Sequence, residues 1–150
     1  MPSRTLDLQR LWLAVARKSW PALIVLPVEP GTRVNEVVAP MAEFLGGLGP
    51  PGGFRLMAAE GVLADAAGGM AVEIQDELAR GVRVVVSTDS PAHNPAVLPL
   101  LRVCSAALLV VELGVTRTES VATLLELVGE ERVLGCVAVQ KGVLPVLVDG

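Results

Sequence analysis

A chain of 150 residues can bury roughly 70% of the surface its unfolded form exposes, so it needs no disulfide or metal staple. It is 52% hydrophobic and carries 15 glycines besides, an excess that suits strands covered on both faces by helices. With 12 basic and 16 acidic side chains the net charge is −4 and the bases are scattered, which excludes an electrostatic footprint for nucleic acid.

Residues 6–17, LDLQRLWLAVAR, place Leu8, Leu11, Trp12 and Val15 on one face and predict an amphipathic helix ahead of the core. ALIVLPV (22–28) predicts a buried strand. A helical pattern follows in which Val34, Val37, Val38, Met41 and Leu45 line one side, interrupted at Pro40. The turn-forming GPPGG (49–53) leads into a second strand, FRLMAAE (54–60). MAVEIQDELAR (70–80) carries Met70, Ile74 and Leu78 on one stripe and stops at Gly81, so a helix feeds the strand VRVVV (82–86). Past the turn-rich STDSPAHNP, a short helix (95–103) precedes the strand AALLVVEL (106–113). In TRTESVATLLELVG, Thr116 and Glu119 have the spacing of a capping box, and Val121, Leu124, Leu125 and Val128 form a core stripe. RVLGCVAVQ (132–140) predicts another strand, and LPVLV (144–148) an edge strand that tolerates its proline. Strands alternating with helices predict a mostly parallel sheet with helices on both faces.

No apolar run approaches the roughly 18 residues of a membrane span, and the N-terminus does not read as a signal peptide, so the expectation is a cytoplasmic protein without direct membrane insertion. Cys104 and Cys136 lack metal or redox spacing and read as reduced, buried thiols. Ser87, Asp89, Ser90 and His93 bring together the residue types of a hydrolytic triad, but they crowd one loop, and no G-x-S-x-G elbow is present.

Two segments resemble a known family when taken together. Asp89-Ser90-Pro91-Ala92, then LLVVEL, then Thr116-Arg117-Thr118-Glu119-Ser120 and Val133-Leu134-Gly135-Cys136-Val137 follow the order and spacing of the second half of bacterial tyrosine kinases, the BY-kinases of capsule and exopolysaccharide export. That family lies within the deviant-Walker P-loop ATPases. Upstream, PVEPGTRVNEV is similar in outline to the family's phosphate-binding loop, aligning through Glu29, Pro30 and Gly31. Arg33 then falls where the second glycine belongs, Val34 where the lysine belongs, and Asn35 where the magnesium-binding hydroxyl belongs. Ala58-Ala59-Glu60 stands where the family carries an aspartate pair.

The resemblance implies one three-layer α-β-α domain over 1–150 of P-loop NTPase-like, Rossmann-like class, with 1–20 as a helix before the core. It also implies lost chemistry. Phosphate binding needs the glycine turn, the lysine and the hydroxyl, and none of the three positions keeps its residue. The chain has no tyrosine, so the family's tyrosine self-phosphorylation is ruled out. The implied role is a non-catalytic partner of a polysaccharide export or co-polymerase component, with no cofactor and no resident metal. Where the family's ring-forming helix reads E-x-x-R-x-x-R, this chain has Asp7, Arg10 and Leu13, which makes Asp7, Arg10 and Trp12 candidate contacts for a partner or a homodimer. Two alternatives stay open. One is weak ATP or GTP binding through Gly31, Thr32, Arg33 and Asn35 with Asp89 placing a metal, and the other is a binder of a different small anion. Asp89 equally suits a turn cap before Pro91.

Overall fold

The apolar runs become six strands whose order follows from the direction of each crossover. In a computed structural model that describes residues 20–29, 34, 37–38, 53–140 and 143–148, they are β1 (Ala22–Pro27), β2 (Phe54–Ala58), β3 (Arg83–Ser87), β4 (Ala106–Glu112), β5 (Val133–Gln140) and β6 (Val143–Val148). The helices are α1 (Ala64–Ala79), α2 (Leu98–Val103) and α3 (Thr118–Val128). The sheet order is β2-β3-β1-β4-β5-β6, with the first five strands parallel and β6 antiparallel to β5. The chain leaves β1 toward one edge and returns through β3, β4 and β5 toward the other. Right-handed crossovers therefore put the segment after β1 on one face and α1, α2 and α3 on the opposite face.

Side-chain alternation confirms this division. Ile24, Leu26, Val84, Val86, Ala107 and Leu109 face Ile74 of α1, Leu100 of α2 and Leu124 of α3. Leu23, Val25, Val85, Leu108 and Val110 face Trp20, Val34, Val37 and Val38 on the other side. The arrangement is a three-layer α/β fold of Rossmann-like class, with β1 buried along its whole length. Each fully buried Leu or Ile contributes about 1.5–3 kcal/mol. Among the described residues no helix is long and apolar enough to cross a membrane.

Several local features follow from particular residues. Helix α1 ends in a paired Gly81 N–H to Leu78 and Val82 N–H to Glu77 closure, with Gly81 at φ +80°, a conformation that a Cβ would strain. It begins at Ala64, six residues ahead of the Met70 start that periodicity predicts, and its N-cap, Leu63, has no side-chain cap to announce it. At the amino end of the sheet, Arg83 donates from Nε to the Trp20 carbonyl at 3.0 Å and stacks its guanidinium 3.9 Å from the indole centroid. That contact fixes β3 beside the start of β1 and is worth about 1 kcal/mol as a cation–π pair. The β5–β6 register shifts between Ala138 and Gln140, opposite the stretch holding Pro145, whose missing N–H interrupts the ladder. Cys104 is buried and Cys136 half-buried, and neither forms a disulfide.

Candidate functional site

Ligands of open α/β sheets bind beyond the carboxyl ends of the strands, where neighbouring crossovers part to opposite faces. Here that point is the end of β1. Val28 and Glu29 follow β1; Ser90, Ala92 and His93 follow β3; Arg117, Glu119, Ser120, Thr123 and Leu124 open α3 after β4. Together they line a cavity of about 300 Å³. Val28 and Leu124 are buried, while Glu119, Arg117 and His93 stand exposed at the rim.

Glu29 is the centre of this crevice. Its carboxyl is held below the ordinary carboxylate range by the Ser120 hydroxyl first, then by the Arg117 backbone N–H, the Arg117 guanidinium and His93, against an opposing effect of desolvation. It therefore sits ionised at the amino end of α3, where negative charge complements the helix dipole. Its Oε1 is sealed from solvent and has no hydrogen-bond partner among the described residues.

The start of α3 differs from the capping-box expectation, and the reason is local. Thr116 Oγ1 accepts the Glu112 N–H at 2.8 Å, closing the turn that leaves β4, so the hydroxyl is not free to cap the helix. Arg117 becomes the N-cap, and no side chain of its own segment caps α3. Glu29, at the end of the neighbouring strand β1, supplies the charge in its place.

Asp89 lies outside the cavity lining and ties two loops together. Its Oδ2 accepts the Gly61 N–H at 2.6 Å and the Asn94 side-chain amide at 3.3 Å, while Asn94 also donates to the Val62 carbonyl at 3.1 Å. Gly61 has φ +72°, which suits a residue without a Cβ. Asp89→Ala is expected to cost about 1–2 kcal/mol, because a charge-assisted bond to the Gly61 N–H is lost. Hydrogen exchange would show the effect as faster opening at Gly61 and Val62, with core strands protected as before.

Of the other residues singled out in the sequence, Val34 is buried on the face opposite α1–α3, where its carbonyl accepts from Val37 and Val38 and so begins a helical turn. Gly31, Thr32, Arg33 and Asn35, like Asp7, Arg10 and Trp12, lie outside the described residues, as do Pro40, Met41 and Leu45. Ser87 is buried at the end of β3, and Ser90 Oγ accepts the Ala92 N–H at 3.4 Å. Among the described residues no hydrogen bond joins serine, imidazole and carboxylate in a line. No group of His, Cys, Asp or Glu with metal-binding geometry occurs among them either. Sequence reasoning placed Glu29 only in a loop alignment. Its meeting with Ser120 depends on the strand order, which no local pattern records.

Compared with protein-family models, curated proteins and solved structures, the chain has no match in any of the three.

Proposed function

We propose that this protein is a non-catalytic relative of the deviant-Walker P-loop ATPases, of bacterial tyrosine kinase type, that works by binding a protein partner in polysaccharide synthesis or export. The loop and strand motifs supply the family setting. One observation supports the loss of chemistry: Val34, which the resemblance aligns with the phosphate-neutralising lysine, is only 6% exposed and packs in the cluster of Trp20, Leu23 and Val37. That position serves the core, and nothing there offsets the charge of a triphosphate. The ionised Glu29 at the end of β1 adds repulsion toward any anion entering the crevice.

Titration calorimetry of the full chain with Mg-ATP and Mg-GTP is expected to give no saturable heat into the millimolar range. Micromolar binding that Arg33→Ala abolishes would overturn the reading. For the partner, the expectation is a stable complex with the cytoplasmic region of a polysaccharide co-polymerase, measured by the same method. A flat titration there would remove the role while leaving the absence of nucleotide chemistry untouched.

A further inference from the structure

The sheet face opposite α1–α3 is more completely buried than the described residues on it explain. On β4 and β5, Ala106, Leu108, Val110, Val137 and Val139 all belong to that side, and Leu108, Val110, Val137 and Val139 are 0% exposed. Burying such side chains takes a layer of apolar groups packed directly on them. Outside the strands, the described residues of that layer are Trp20, Val34, Val37 and Val38. Val34, Val37 and Val38 open the crossover from β1 to β2, and the sheet order places β2 beyond β3. A right-handed crossover therefore runs over β3, away from β4 and β5. Another segment must roof the β4–β5 half.

Three observations name the occupant. The burial is that of a single chain, so neither a second copy nor a foreign partner supplies it. Trp20, buried in the same layer, brings the chain onto this face at the start of β1, directly beside β4. Residues 6–17 carry Leu8, Leu11, Trp12 and Val15 on one side and end just ahead of Trp20. We infer that residues 6–17 dock as a helix on the β4–β5 half of this face, with the Leu8, Leu11, Trp12 and Val15 stripe against Leu108, Val110, Val137 and Val139. A helix of that length is about 18 Å long, enough to cross both strands at their spacing of about 4.8 Å. Trp12 then belongs to the interior, and the contact offered to a partner moves to the far side of the helix, where Arg10 stands. The docking itself does not depend on the partner role above.

Hydrogen exchange on the full chain is the first test. Amides of residues 10–17 are expected to exchange roughly a hundredfold or more slowly than in the urea-unfolded chain, at every protein concentration. Fluorescence reads the same contact, because the chain has no tyrosine and Trp12 and Trp20 are its only tryptophans. In Trp20→Phe, the remaining Trp12 should be quenched by acrylamide several-fold less than in the unfolded chain. Leu11→Ala should be non-additive with Val137→Ala or Val139→Ala in urea unfolding, as for residues in contact, and additive with Ile74→Val on the opposite face. Exchange of residues 10–17 at the unfolded rate overturns the inference. So does protection that vanishes on dilution, since the helix would then cover another copy. Additivity of Leu11→Ala with both valine variants overturns the placement on β4 and β5, and the exchange result on the unaltered protein stands whether or not the variants fold.

Discussion

Replacing Arg132 with Met should lower the free energy of unfolding by about 2–3 kcal/mol, the larger part of it from carbonyls left without a donor. The Arg132 guanidinium donates to the carbonyls of Leu101 and Cys104, at the end of α2, and to Val128 at 3.5 Å, at the end of α3. One cation thus covers the carboxyl ends of two helices, where the helix dipole favours positive charge. Methionine keeps much of the apolar stem and removes every donor, so the loss reports the hydrogen bonds rather than a cavity. Urea denaturation should show a lower midpoint with an unchanged slope, and the thermal midpoint should fall by about 5–10 °C for a domain of this size. Arg132→Lys should recover only part of the difference, because a single ammonium cannot fork between separate carbonyls. A variant as stable as the wild type would mean that water replaces the guanidinium at both ends without loss.

The second large effect is alkaline. Burial pushes the Cys104 thiol up from 9.0 to about 12, with the nearby Arg132 charge pulling weakly the other way. A group whose folded pKa is raised contributes stability that is complete below its unfolded pKa and is lost as pH rises through the folded value. Stability should therefore decline between pH 9.0 and about 12, by up to about 4 kcal/mol at the upper end. Burial also raises the Cys136 thiol, so it adds to the decline in the same direction. The chain suits this measurement because it has no tyrosine, and Lys18 and Lys141 are its only lysines. Cys104→Ala should flatten the pH dependence of the urea midpoint over that window, whatever its cost at neutral pH. At pH 8 the native Cys104 should resist a thiol reagent that reaches Cys136 first. Equal slopes in the two proteins would show that the thiolate forms without unfolding.

The central strands β1 and β4 were legible because each is a continuous apolar run bounded by turn residues, the pattern that a parallel sheet buried on both faces requires. Gly81 was legible for the same local reason, since a helix stop is written in one residue. The beginning of α1 was not. Ala66-Ala67-Gly68-Gly69 carries no apolar stripe, and its glycines depress helical preference, so the first turns lean on tertiary packing, with Ala67 buried and Ala71 in the core cluster. At Thr116 the local rule lost to a competing turn. The crevice was hardest to read, because Glu29, His93 and Arg117 come from three segments, and their meeting is a product of strand order. Arg132 is a similar case, a lone basic residue in a polar turn until α2 folds against it.

The placement of β1 has a consequence for synthesis. This strand leaves the ribosome well before its partners: Ala22 pairs with Val84 and Leu23 with Ala106, so both of its hydrogen-bonding edges wait for β3 and β4. Until β4 is released, this wholly apolar strand stays open to other chains, and closing such distant pairings is slow. A holdase that shields the segment during translation would therefore raise the yield of native protein.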